Sequence, residues 1–170
     1  MEALERPGGP QASGTTRDVT ERASALEEYR PRLLATAWAL VGYRADAEDI
    51  VQATYEHALR HLAGLRSDAA LWSWLVTIEM HEAFRWRRRM VRALTTTLQE
   101  QEPPAVPDST NAVDLRDAVN HLPSRVRIAI VLHYMADLPV AQVATAMGTS
   151  ENTVKAQLKV GLRRLKETLS

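Results

Sequence analysis

The stretch from Leu138 to Leu169, LPVAQVATAMGTSENTVKAQLKVGLRRLKETL, leaves this chain few options. It predicts two helices with a sharp turn between them. Pro139 suits a first helical position, where a missing N–H costs nothing. Val140, Val143, Ala144 and Met147 then share one face at helical spacing. Gly148 stands where a helix needs a residue of positive φ to stop. Ser150 is a good N-cap for the second helix, and Glu151 sits in its first turn at the positive end of the dipole. Val154, Leu158, Leu162, Leu165 and Leu169 make an apolar stripe, while Asn152, Thr153, Lys155, Gln157, Lys159, Arg163, Arg164 and Lys166 occupy the other faces.

Two short-linked helices, the second polar at its start and basic outside, fit a helix-turn-helix whose second helix enters a DNA major groove. Asn and Gln can read adenine bidentately, Lys can read guanine, and later Arg and Lys can hold phosphates. The same residues also fit an amphipathic hairpin with a solvated charged face.

The chain has 170 residues, room for one or two small domains. Its richness in Ala, Leu, Arg, Glu and Val, with a single Phe, suits an all-helical fold. Cysteine is absent, which excludes disulfides and thiolate metal sites and makes a reducing cytoplasm the expected home. No apolar run reaches the ~18 residues of a membrane span, and the N-terminus has no apolar signal core. A formal net charge of zero argues against coating DNA by charge alone. The charge is segregated, with acid in residues 46–56 and 100–117 and base in residues 85–92 and the last helix. That pattern suits an acidic contact for one partner and basic contacts for another.

In chain order, residues 1–19 hold Pro7, Gly8, Gly9, Pro10 and Gly14, and are expected to form a disordered tail. A first helical domain is expected over 20–94. Its first helix runs from about Thr20 to Val41, kinked or restarted at Pro31 and ended by Gly42. Its second helix, DAEDIVQATYEHALRHL, takes Asp46 as N-cap and turns Ala47, Ile50, Val51, Thr54, Ala58, Leu59 and Leu62 inward. Asp46, Asp49, Gln52, Glu56 and His57 stay outside, where the acids could simply cap and solvate the helix. After the loop AGLRSD, with Ser67 or Asp68 as cap, a third helix runs from about Ala69 to Arg92 and ends in FRWRRRMVR. Leu71, Trp74, Leu75 and Ile78 form its core face, with Trp72 on another. Aromatics beside such a basic cluster can hold unstacked bases; tryptophans at helical spacing can equally be core. Residues 95–111, with three prolines and no periodicity, are a flexible linker. A second domain over 112–170 adds two helices, about 112–121 and 124–135, around Leu115, Ala118, Val119, Leu122, Val126, Ala129, Ile130 and Leu132.

No glycine-rich phosphate loop follows a strand, no strand pattern is evident, and no Ser lies in a nucleophile's setting. His57 and His61 share a helix face without a third ligand, so neither a metal nor a cofactor is expected. Nothing supports an enzyme.

The acid-capped DAEDIVQ helix, DAALWSWLVTI after its loop, the Arg-rich helix end, the linker, and LPSRVRIAIVLHYMADLPVAQVATAMGTSENTVKAQLKVGLRRL come in a specific order. In that order they resemble an extracytoplasmic-function sigma factor, a small member of the bacterial sigma-70 family with only regions 2 and 4. The resemblance covers about residues 25–92 and 113–169. It implies an all-α protein of two small helical domains joined by a flexible linker, lending promoter recognition to core RNA polymerase. By resemblance Asp46, Asp49, Gln52 and Glu56 would dock on the β′ clamp helices. His61, Leu65, Arg66, Ser67, Asp68, Leu71 and Trp72 would capture a flipped base of the −10 element, with Arg85, Arg87, Arg88 and Arg89 on nearby phosphates. Capture is physically sensible, because a pocket that binds only the extruded base returns the unstacking energy selectively. Ser150, Asn152, Thr153, Lys155, Gln157, Lys159, Arg163 and Arg164 would read the −35 element as duplex, while region 4 meets the β flap. An anti-sigma partner covering these surfaces is also implied, as is a cytoplasmic protein that is nucleoid-associated in holoenzyme.

The chain departs from the common pattern at several positions. Leu65 and Leu71 stand where relatives often carry Phe, and VTIEMHEAF lacks a common Asn. Gln157, Val160 and Leu162 replace frequent arginines, and Gln157 and Gly161-Leu162 resemble a short actinobacterial branch. Two other readings are a stand-alone helix-turn-helix regulator of duplex DNA and a helical adaptor that binds only protein.

Overall fold

The computed structural model describes residues 12–65, 67–96 and 112–170, and among these it is helical throughout, without strands. The helices are α1 (Ala12–Val41), α2 (Arg44–His61), α3 (Leu71–Thr96), α4 (Ala112–Asn120), α5 (Ser124–Ile130), α6 (Val140–Met147) and α7 (Glu151–Leu169). Short 3₁₀ turns, Leu62–Gly64 and Asp68–Ala70, link α2 to α3, and a π turn, Val131–Met135, prolongs α5.

Helices α1, α2 and α3 pack as one unit, and α4 to α7 as another. In the first, α2 is held by Ala47, Ile50, Val51, Thr54 and Ala58, all buried as their spacing predicts. Leu59 corrects that prediction: it is exposed, and Tyr55 is buried in its place. The Tyr55 hydroxyl donates to the Leu26 carbonyl at 2.9 Å, which lets a polar tip enter the core satisfied. A carboxyl is buried here too. Glu79 on α3 is fully enclosed and accepts from the Thr36 hydroxyl of α1. Burial holds its pKa well above the usual carboxylate range.

Several boundaries move. Helix α1 opens at Ala12, inside the segment expected to be disordered; it includes Gly14, after which Thr15–Arg30 contains neither Gly nor Pro to break it. The rest of that segment, residues 1–11, lies outside the described residues, as do linker residues 97–111. Helix α1 runs through Pro31 as one element. Pro31 is exposed, so water can serve the carbonyl that loses its N–H partner. Asp46 is not an N-cap: α2 starts at Arg44 after Tyr43, and Asp46 lies in its first turn. Neither Ser67 nor Asp68 caps α3 by its side chain, since a 3₁₀ turn intervenes and α3 begins at Leu71.

In the second unit Gly148 adopts φ 60° and ends α6. Ser150 caps α7, its hydroxyl accepting from the Thr153 N–H at 3.1 Å. The α7 stripe is shorter than expected. Val154 and Leu158 are buried, but Leu162 and Leu169 are exposed. Gly161 takes the buried position instead, because α5 comes too close for a side chain: a Cβ there would meet Ile130 Cγ1 at 2.6 Å. Leu115, expected in the core, is exposed as well.

The two units are not apart. One continuous apolar cluster joins Leu33, Ala37 and Leu40 of α1 to Val119, Val126, Leu132 and Leu138 of the second unit. Helix α1 packs on α4 and on the π turn. Arg127 of α5 is buried and donates to the Leu40 carbonyl at 3.1 Å and the Leu122 carbonyl at 3.1 Å. Burial lowers its pKa to about 10, so it stays charged at neutral pH and sits at the negative end of α1. The Trp72 indole N–H of α3 donates to the Ala136 carbonyl at 2.6 Å.

Candidate nucleic-acid interface

The turn between α6 and α7 places the first residues of α7 in solvent with their orphan N–H groups and positive dipole end. Asn152, Thr153, Lys155, Lys159, Arg163 and Arg164 are all exposed. Ser150 and Thr153 hydroxyls are 2.8 Å apart and engaged in the cap. Gln157 departs from its expected place: it is half-buried, with Oε1 shut away from solvent, because α7 turns this edge toward its neighbours. The face that can meet base edges is therefore Asn152, Thr153 and Lys155, with Lys159, Arg163 and Arg164 behind it for phosphates.

The expected −10 residues gather around the loop before α3. His61, Ser67 and Asp68 are exposed and Leu65 is half-buried. Leu71 is a correction: it is buried in the core, since it opens α3 on the face that packs inward. Arg66 lies outside the described residues. Asp68 is tied to Arg22 of α1 at 2.6 Å, and Arg22 also donates to the Leu65 carbonyl at 3.2 Å. Nothing in local sequence pairs Arg22 with a loop over forty residues on, so that clamp emerges only in three dimensions. Trp72 is half-buried, stacked on Tyr29 with centroids 5.5 Å apart and with the Arg32 guanidinium 4.0 Å from its ring. A cleft of about 1080 Å³ opens along the same loop, between Leu65, Trp74, Thr77 and His81 on one side and Gln142, Thr145 and Met147 of α6 on the other. Trp74, read as core, is half-buried and lines this cleft.

The basic end of α3 continues this surface. Arg85, Arg88 and Arg89 are exposed and Arg87 half-buried. Arg85 pairs with Glu82, and His57 approaches the same carboxylate at 3.8 Å. Burial and the neighbouring His61 hold His57 below the usual imidazole range. His57, His81, Phe84, Arg85 and Arg88 surround a pocket of about 570 Å³. Residues 57 and 81 reach it from two helices, which spacing along one helix could not show.

On α2, Asp49, Gln52 and Glu56 are exposed along one face, with Gln52 donating to Glu56 at 3.4 Å. Asp46 differs from them. It is half-buried, and its pKa is raised by burial, offset by a hydrogen bond from Trp86. A third surface was not foreseen. A crevice of about 670 Å³ lies between the units, walled by Leu34 and Trp38 of α1 and by Leu115, Tyr134, Met135 and Leu162. The last four are 41–53% exposed, and the Arg116 guanidinium lies 3.4 Å from the Trp38 ring at its rim.

A helix-turn-helix, an exposed acidic face on α2 and a basic Trp-bearing helix define a two-unit, all-helical transcription protein of the sigma-70 type. Residues 25–93 match the Sigma-70 region 2 family and residues 112–165 match Sigma-70, region 4. The chain is 32% identical over 151 residues to the ECF RNA polymerase sigma factor SigL of Mycobacterium tuberculosis, spanning 84% of this chain and 85% of that one. It is 26% identical over 149 residues to the RNA polymerase sigma factor SigV of Bacillus subtilis, spanning 86% and 90%. Its fold is similar to the sigma factor RpoE of Bartonella quintana, solved in complex with the anti-sigma factor NepR, with a TM-score of 0.76, 26% identity and coverage of 88% and 97%. The chain belongs to the extracytoplasmic-function sigma factors. It binds core RNA polymerase and directs promoter-specific transcription initiation. A stand-alone regulator is not favoured, since region 2 is matched as well as region 4.

Proposed function

We propose that the two units divide the promoter between them. Asn152, Thr153 and Lys155 read the −35 element in the major groove, and Lys159, Arg163 and Arg164 hold its backbone. The loop 61–68, Trp72 and the cleft lined by Trp74 take the −10 base, and Arg85, Arg88 and Arg89 hold phosphates. Asp49, Gln52 and Glu56 dock on the β′ clamp helices, and region 4 meets the β flap. The protein has no catalytic group of its own and works in the cytoplasm, on the nucleoid when in holoenzyme. The observation that carries this reading is the exposed polar-then-basic face of α7, capped by Ser150, on a chain that also presents the α2 acid row.

The crevice walled by Trp38, Tyr134, Met135 and Leu162 is the expected seat of an anti-sigma partner. Exposed apolar side chains gathered in one groove mark an interaction site, and the Arg44 and Arg116 rim favours an acid-flanked helix.

Run-off transcription with purified core polymerase on pooled host promoters tests the assignment. Discrete new transcripts are expected, and Asp49→Arg should abolish them while leaving the fold intact by circular dichroism. Transcripts undiminished by Asp49→Arg would remove the α2 face from the polymerase contact.

A further inference from the structure

We propose, resting on the assignment of the loop 61–68 to the −10 base, that Arg22 of α1 is the positioning residue of that loop: one guanidinium ties Leu65 to Asp68 and holds the loop in the shape that receives the base.

The backbone by itself ties this loop weakly. It runs between the 3₁₀ turns Leu62–Gly64 and Asp68–Ala70, and Leu65 and Ser67 are extended, with ψ 119° and 134°. Each turn closes a backbone bond at its own end, Leu65 N–H to Leu62 O at 3.1 Å and Ala70 N–H to Ser67 O at 3.1 Å. Neither bond crosses from one turn to the other. Arg22 does cross. Its Nε–H donates to Asp68 Oδ1 at 2.6 Å and its Nη1–H to Leu65 O at 3.2 Å. A planar guanidinium sets two donors at fixed directions, which a lysine ammonium cannot do. The Arg22 side chain is 20% exposed and that of Asp68 74%, so the fork is partly shielded from water while the residue it holds faces outward.

The same helix fixes the neighbouring aromatic. Tyr29 lies two turns after Arg22 and stacks on Trp72 with the rings inclined by 23°, and Arg32, one turn further, reaches the same indole. Helix α1 therefore holds both parts of the seat, the loop through Arg22 and the indole through Tyr29.

A loop that is already ordered loses less freedom when it binds. The pair need not stabilise the whole fold to have this effect, since an ion pair with one partner in solvent adds little to global stability. Removing Arg22 should loosen the loop and leave the helical core as it is.

Hydrogen exchange on the full chain reads the clamp. In Arg22→Met the Leu65 and Ala70 amides should exchange about fivefold faster, the effect of one lost net hydrogen bond, with α2 amides and circular dichroism unchanged. Binding of the reconstituted holoenzyme to a fork of a promoter mapped by run-off transcription, single-stranded through the −10 element, reads the function. Arg22→Met should weaken the fork complex by a similar factor. Affinity for core polymerase alone should not move, which separates positioning from a damaged fold. Arg22→Lys keeps the charge and loses the fork; it should show both effects in smaller measure, and it decides the matter if Arg22→Met fails to fold. Unmoved exchange at Leu65 and Ala70 would overturn the proposal. So would an undiminished fork complex in Arg22→Met when Trp72→Ala weakens it. If neither variant weakens the fork complex, the loop is not the −10 seat, and the proposal falls with that assignment.

Discussion

Single residues carry unusual burdens in this chain. Glu79 is a carboxyl with no access to water, held by Thr36 and with Oε1 unpartnered. A neutral carboxyl suits such a site, since its own O–H can donate while the ion would be stranded. Its raised pKa means the folded state binds a proton that the unfolded state releases once pH exceeds about 4.3. Stability from this group is therefore full below the unfolded pKa and falls as pH rises toward the folded one. Glu79→Gln keeps the shape and removes the titration. It should raise Tm at pH 8 more than at pH 5, as measured by thermal denaturation; an equal shift at both pH values would refute a raised pKa. Asp46 teaches a related lesson. Its sequence position suggests a cap, but the Trp86 indole, forty residues on, draws it partly inward.

At the scale of elements, the decisive contact is that of α5 with α7. The recognition helix is set by Val154, Leu158 and the missing side chain at Gly161, against which Ile130 and Val126 press. Filling that gap forces the helices apart. Gly161→Ala gains helix propensity but overpacks, and a net loss of about 1–3 kcal/mol is expected in urea unfolding. If α7 reads the −35 element as proposed, its tilt should lower −35 duplex affinity too, although Gly161 lies on the buried face, away from the exposed polar residues. A stabilised variant with unchanged affinity would show that Ile130 yields easily. The turn from α6 into α7 was legible, although α6 starts at Val140 with Pro139 as its non-helical N-cap and not at Pro139 itself. Gly148 and Ser150 act through φ and a local hydrogen bond, both properties of adjacent residues. The inward faces were legible only in part. Leu59, Leu115 and Leu162 fit an apolar period, yet all three are exposed, since periodicity defines a stripe but not how much of it a neighbour covers.

For the molecule as a whole, the shared core predicts cooperative behaviour. With Leu33, Leu40, Val126 and Leu132 in one cluster, heat should produce a single transition seen alike by circular dichroism and tryptophan fluorescence. Two transitions would show that the units hold their cores separately. The expectation of two helical units did not include their docking, and the linker residues 97–111 lie outside the described residues. Legible from the chain alone were the all-helical class, the order of elements, the turn from α6 into α7, the outward acid row of α2 and the basic face of α7. These follow from local propensities and periods, which act within a few residues. Long-range packing was needed to bury Leu71, to withdraw Gln157 partly, to set Arg22 against the loop and to join the units through Trp72 and Arg127. Those outcomes depend on which surfaces meet across forty to ninety residues, a competition among burials that no local pattern encodes.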